Sequence, residues 1–159
     1  ISGGEPTIHH DLPDFIEKIK NLGYLVKLDT NGTNLEMIKY LVENNLIDYI
    51  AMDIKNSPNK YNITIGNDNN YNITESIEYI MNCGIDYEFR TTVVRELHSR
   101  EDFISIGNWI KDAKRYFIQS FIDSGDILSG SFSSYNKNEL DDLKVLMQSF
   151  VKETQIRGV

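Results

Sequence analysis

Five short runs rich in β-forming residues recur along this chain (24–30, 47–54, 87–94, 115–121 and 155–159), and amphipathic helical stretches separate them. That alternation constrains the fold more than any other feature. Strands separated by helices of this length build βα units and a parallel sheet. The class expected is α/β, and an open doubly wound sheet and a barrel share the pattern. In both, ligands collect at the C-terminal ends of the strands.

The helical stretches carry their own punctuation. Residues 14–22 place Phe15, Ile16, Ile19 and Leu22 at helical spacing, with Pro13 near the start and Gly23 past the end. Residues 34–45 place Leu35, Ile38, Leu41 and Val42 on one face, with Thr33 or Asn34 as the N-cap. Helices are also expected over 74–81, closed by Gly84, over 99–111, opened by a Ser99–Asp102 capping box, and over 138–152. Residues 56–72 read as a polar loop with a short helix, and 122–136 as a glycine- and serine-rich loop.

Composition narrows the function. The 159 residues are 40% hydrophobic and 25% charged, enough for one domain with a sizeable core. A net charge of -8 argues against a nucleic-acid binder that works by neutralising phosphates. No apolar run approaches the ~20 residues that span a bilayer. One cysteine, Cys83, excludes an intramolecular disulfide and any cluster held by several thiolates of this chain. Cys83 itself reads as a small buried residue at a helix end. The chain opens on Ile1-Ser2-Gly3-Gly4 without an initiator Met or a leader, and reads as starting inside a domain, at a strand end.

The strand ends are polar: Ser2-Gly-Gly-Glu-Pro6, Asp29-Thr-Asn-Gly32, Asp53 with Lys55, Arg90 with Thr92, and Gln119. Residues two apart share a face of a strand, so Lys27 and Asp29 face one way, as do Asp53 and Lys55, and Glu88, Arg90 and Thr92. Charges on one face of a sheet need partners or a ligand. Taken singly, each segment also fits an ordinary turn or ion pair. His9, His10 and His98 lack metal-ligand spacing and read as surface or capping residues. The acidic start of the last helix, with Glu139, Asp141 and Asp142, reads as a solvated first turn. The Asn-x-Thr triplets at Asn31, Asn62 and Asn72 read as chance in an Asn-rich chain.

Taken together, Ile1-Ser-Gly-Gly-Glu-Pro-Thr7, Leu28-Asp-Thr-Asn-Gly32, Ala51-Met-Asp-Ile-Lys55 and Phe89-Arg-Thr-Thr-Val93, in that order, resemble the radical S-adenosylmethionine (SAM) enzymes. The resemblance is to the activase branch for glycyl-radical enzymes. Within it, these segments and Tyr116-Phe-Ile-Gln119 are most similar to the anaerobic ribonucleoside-triphosphate reductase activating proteins, with pyruvate formate-lyase activases as near neighbours. The resemblance implies a partial (β/α) barrel, residues 1–159 forming the C-terminal portion of one radical SAM core domain with the first βα unit missing. It implies that Gly3, Gly4 and Glu5 bind the SAM amino group. Asp29, Thr30 and Asp53 would lie by the SAM carboxylate and a monovalent cation, Lys55 and Arg90 by the carboxylate and ribose, and Gln119 on the adenosine side.

The family holds a [4Fe–4S] cluster on a three-cysteine loop that this chain lacks. The expectation is an inactive fragment of a cytoplasmic enzyme that uses SAM and the cluster to generate a 5′-deoxyadenosyl radical. Its partner would be a glycyl-radical enzyme, and its electron donor reduced flavodoxin or ferredoxin. Other readings are a radical SAM enzyme acting on a small molecule or peptide, a metal-free barrel aldolase using Lys55, and a non-catalytic binding module.

Overall fold

The structure, a computed structural model, describes residues 1–66, 72–122 and 132–158. A short 3₁₀ turn, Pro6–Ile8, precedes α1 (Leu12–Asn21), β1 (Lys27–Thr30), α2 (Leu35–Glu43) and β2 (Tyr49–Asp53). A second 3₁₀ turn, Pro58–Lys60, leads into α3 (Tyr61–Ile65). Then come α4 (Ile73–Asn82), β3 (Asp86–Val93), α5 (Arg100–Trp109), β4 (Tyr116–Ser120), α6 (Lys137–Met147) and β5 (Thr154–Arg157). Of the two loops expected from sequence, residues 67–71 and 123–131 lie outside the described residues, as does Val159.

The strands follow chain order in the sheet, β1-β2-β3-β4-β5. β1 runs parallel to β2 with Lys27 opposite Tyr49, β3 parallel to β4 with Phe89 opposite Tyr116, and β4 parallel to β5 with Tyr116 opposite Thr154. The expected α/β class with a parallel sheet is what forms. The chain gathers into two compact units: Ile1–Asp53 with Asn70–Glu88, and Ile54–Asn69 with Phe89–Val159.

In the first unit β1 alternates between buried and more open positions, whereas β2 is buried throughout 50–52, Ala51 included. Leu28 and Thr30 of β1 and Ile50 and Met52 of β2 are buried, whereas Lys27, Asp29, Tyr49 and Asp53 are not. The helices contribute Ile16, Ile38, Leu41, Ile77 and Ile80 to the core, each worth about 1.5–3 kcal/mol on burial. Asn34 caps α2 through Met37 N–H, as its sequence position suggests. Two expectations shift here. Phe15 and Leu22 are exposed, because α1 turns Leu12 and Ile16 inward instead. β1 starts at Lys27 and not at Tyr24: Tyr24 and Leu25 are exposed, and Val26 N–H is taken by the Asp48 carboxylate at 2.7 Å. Lys20 grips that carboxylate at 2.7 Å. Burial alone would raise the Asp48 pKa, but the Lys20 and Val26 bonds hold it below the usual value. Cys83 caps α4 at its C-terminal end, half-buried, with its thiol donating to Ile80 O.

In the second unit Tyr116 and Ile118 of β4 and Val93 of β3 join Phe103, Ile106, Leu140 and Met147 in the core. The fully buried Tyr116 hydroxyl donates to Thr91 Oγ1 at 2.7 Å, and burial drives its pKa far up despite that bond. Gly107 lets α5 lie against Phe150, since a Cβ there would stand 2.4 Å from the ring. The Ser99–Asp102 capping box forms as expected. α6 opens one residue earlier than its sequence pattern suggests, with an Asn136–Glu139 capping box. Glu139 is therefore not merely solvated. It also pairs with Arg95, and that guanidinium together with Asn136 N–H holds its carboxyl at about 2.

Candidate functional site

In the first unit one carboxylate links the opening motif to the end of β1. Glu5 caps the 3₁₀ turn, and Pro6 pre-sets the turn that follows it. Glu5 Oε1 accepts from Thr7 N–H (3.1 Å), Thr7 Oγ1 (2.6 Å) and Thr30 Oγ1 (2.8 Å), and Oε2 accepts from Asn31 N–H (2.5 Å). Thr30 in turn accepts from Gly32 N–H at 3.1 Å. One side chain thus ties the first motif to the end of β1. A carboxylate offers about four lone-pair directions, so Oε2 retains room for a further donor.

The glycines are shaped for close approach. Gly3 has φ 109° and Gly4 φ 50°, with no atom within 4 Å of where a Cβ would stand on either. Their backbone is exposed beside Glu5. Gly32 is the opposite case: at φ 77° its missing Cβ would meet Met52 Cε at 2.1 Å. Its carbonyl accepts from the buried Ser76 hydroxyl at 2.7 Å. The Asp-Thr-Asn-Gly and Ala-Met-Asp segments are therefore packed against each other. Asp29 lies opposite Ala51 in the parallel register, so Asp29 and Asp53 project from the same face at the C-terminal ends of β1 and β2. On that face Lys27 reaches Asp29 at 3.7 Å and the buried Glu88 at 3.3 Å, and Tyr49 donates to Glu88 at 2.9 Å.

The second unit holds the remaining candidates. Arg90 lies opposite Phe117, and Gln119 lies between Thr92 and Arg157. By strand parity Arg90, Thr92, Phe117, Gln119 and Arg157 share one face. The Arg157 guanidinium stacks on the Phe117 ring, 3.3 Å from its centroid. Sequence reasoning passed over Arg157, although the two-residue step from Gln155 to the end of β5 was the available signal. Lys55 is exposed in the turn after β2, and its carbonyl faces His98 Nε2 at 2.9 Å. His9 and His10 are exposed, as expected. His98 is not a surface residue: it is 3% exposed and accepts from Val94 N–H at 3.1 Å. Asn56, Ser57 and Asp102 are buried with it. In Asp102, burial raises the pKa, but Lys60, the Ser99 N–H and the Ser57 and Ser99 hydroxyls outweigh it and leave the carboxyl at about 2.

Among the described residues, no helix is long and apolar enough to cross a membrane, and no group of three or more His, Cys, Asp or Glu could hold a metal ion.

Comparison with known proteins relates the chain to a family. The sequence pattern of the Radical SAM superfamily matches residues 1–110. A protein of Methanocaldococcus jannaschii named as a candidate glycyl-radical enzyme activating enzyme, MJ1227, is 33% identical over 100% of this chain and 70% of its own length. An S-adenosylmethionine-dependent nucleotide dehydratase of Flammeovirga pacifica is 27% identical over 93% of this chain and 50% of its own. In fold, the chain is similar to a crystallised domain of a pyruvate-formate lyase-activating enzyme from Bacteroides vulgatus. The TM-score is 0.79 at 13% identity, over 99% of this chain and 97% of that one. SuiB of Streptococcus suis bound to S-adenosylmethionine gives a TM-score of 0.75 at 14% identity, over 98% of this chain and 38% of that one.

Proposed function

The chain belongs to the radical SAM superfamily, and from that premise we propose that it is the SAM-binding part of an activating enzyme for a glycyl-radical enzyme. The observation that carries this reading is the Glu5 hub. It anchors the segment that carries the two uncovered glycines to the end of β1, where a ligand's amino group can meet carbonyls and the open direction of Oε2. The named role of MJ1227 supports the activase assignment, and the family match favours it over an aldolase or a plain binding module.

The donor set fits SAM. Gly3 and Gly4 carbonyls with Glu5 take the ammonium. Asp29 and Asp53, on one face, suit a monovalent cation beside the SAM carboxylate, and Thr30, its hydroxyl engaged with Glu5, ties the end of β1 to the first motif. By the family resemblance alone, Lys55 and Arg90 would supply positive charge for the carboxylate and ribose, and Gln119 would stand on the adenosine side. SAM when bound supplies the radical chemistry, and the protein's part is orientation and exclusion of water.

The residues do not fit a [4Fe–4S] cluster. That group needs several thiolates, and the only cysteine is Cys83, which donates to Ile80 O. Cluster ligands would have to come from outside these residues. The partner we propose is anaerobic ribonucleoside-triphosphate reductase, with pyruvate formate-lyase as the second target. The support is the likeness of Asp29-Thr-Asn-Gly32, Met52-Asp-Ile-Lys55 and Tyr116-Phe-Ile-Gln119 to the reductase activators. Reduced flavodoxin or ferredoxin would be the donor.

The test is a titration of the ¹⁵N-labelled chain with SAM. Shifts at Gly3, Gly4 and Lys55 are expected, and Asp53→Ala or Arg90→Ala should weaken them. An unresponsive Gly3-Gly4 segment at millimolar SAM refutes the site. Joined to a cysteine-bearing segment and reconstituted with iron and sulfide, the protein should raise a glycyl-radical resonance in the reductase before the lyase.

A further inference from the structure

The turn after β2 is held from one stretch of chain, residue by residue. Ile54 N–H donates to Arg90 O at 2.7 Å, and the Ile54 carbonyl accepts from Thr91 Oγ1 at 2.8 Å. The Lys55 carbonyl meets His98 Nε2 at 2.9 Å. Asn56 Nδ2 donates to Leu97 O at 3.0 Å and to Thr64 Oγ1 at 2.8 Å. Ser57 Oγ donates to Asp102 Oδ1 at 2.8 Å, and Lys60 Nζ reaches Asp102 Oδ2 at 2.7 Å. Every residue from Ile54 to Ser57 is thus bonded to a residue between Arg90 and Asp102. Ile54, Asn56 and Ser57 are buried, and Lys55 alone of the four is exposed.

The partners fix the state of the imidazole. Nε2 faces the Lys55 carbonyl, which can only accept, so Nε2 carries a proton and donates a hydrogen bond there. Nδ1 lies 3.1 Å from both the N–H and the carbonyl of Val94, and in the neutral ring, with its one proton on Nε2, it accepts from that N–H. A buried network of imidazole, amide, hydroxyl and carboxylate adds little net stability over apolar residues of the same volume. What it provides is a single backbone position for the residues it holds.

We propose that His98 is a positioning residue for SAM binding: its Nε2–H pins the Lys55 carbonyl and so sets where the Lys55 ammonium stands. The proposal rests on the reading of Lys55 as a SAM-carboxylate residue given above.

Two substitutions separate positioning from simple structure. Asparagine reaches as far as Nδ1 and can keep the Val94 bond while losing Lys55. Glutamine reaches as far as Nε2 and can keep the bond to Lys55. By SAM titration, His98→Asn should weaken binding about tenfold, the loss of one charge-assisted contact, and His98→Gln should restore most of it. In a Lys55→Ala background, His98→Asn should cost nothing further. The ¹⁵N shifts of the His98 ring in the unaltered chain should show an unprotonated Nδ1, a readout that needs no variant to fold. Additive losses in the double variant, Asn binding as well as Gln, or a protonated Nδ1 overturns the proposal while leaving the SAM site standing. If Lys55→Ala alone leaves SAM affinity unchanged, the reading of Lys55 falls, and this inference with it.

Discussion

The two units fasten their strand-end loops in opposite ways. In the first, one carboxylate gathers four donors from three residues, and the loop that ends β1 depends on it. In the second, the turn after β2 is shared among His98, Leu97, Thr91 and Asp102, each taking one or two bonds. A hub puts its acceptor in the motif itself, so the fastening of that loop rests on one residue. A distributed clamp spreads the fastening over several residues and engages Lys55 through its backbone carbonyl. Damage to the hub should be abrupt, and damage to the clamp graded.

The largest effect expected is at the hub. Glu5→Ala strands two hydroxyls and two N–H groups and should lower stability by about 3 kcal/mol, read from the urea midpoint. A loss under about 1 kcal/mol would mean that the loop is held elsewhere, and the contrast between the units would vanish.

Gly32→Ala should follow, at roughly 2–3 kcal/mol, from the positive φ and the Met52 methyl in the way. Adding Met52→Ala should recover part of the steric share, and strict additivity would show that packing is not the cause.

In the clamp, Asp102→Asn should cost about 2 kcal/mol near neutral pH. The sign with pH follows from the direction of the shift. The Asp102 carboxyl stands at about 2 when folded, against an ordinary 3.8, so as pH falls the unfolded chain takes up the proton first. Its stabilisation is full above about pH 4 and is lost between there and about pH 2. Midpoints of the parent and Asp102→Asn should therefore converge as pH falls through that window. Parallel curves would remove Asp102 from the clamp.

The smallest effect belongs to the exposed pair of Arg95 and Glu139, which joins neither device. Arg95→Ala should leave the midpoint within error, and any residual difference should disappear in high salt.

Much of this was legible in the sequence, for identifiable reasons. The alternation of strand and helix, the Asn34 cap and the Ser99–Asp102 box are local signals, and each formed where expected. The parity that put Lys27 with Asp29 follows from the strand's period of two, and the 3.7 Å approach of Lys27 Nζ to the Asp29 carboxylate agrees with it. What stayed hidden depends on partners far along the chain. Nothing near His98 announces that the Lys55 carbonyl, 43 residues away, will accept its hydrogen bond. Tyr24-Leu25-Val26 looks like strand until Asp48 takes the Val26 N–H. An apolar stripe on α1 does not say which of its edges faces the core, and Phe15 was on the wrong one. Glu5 stood out in the sequence as a candidate, but its three protein partners, Thr7, Thr30 and Asn31, did not.

Strand order that follows chain order has a kinetic meaning. In the pairs β1–β2, β3–β4 and β4–β5, each strand's neighbour is the next one to be synthesised. No pairing among these waits for a segment made much later, so loop closure stays short for a parallel sheet. A growing chain can therefore dock one strand at a time and keep few sticky edges open at any moment. Stalled nascent chains should show β1 protected from protease once β2 has emerged, long before β5 exists. If protection appears only on release of the whole chain, the sheet forms in a single late step instead.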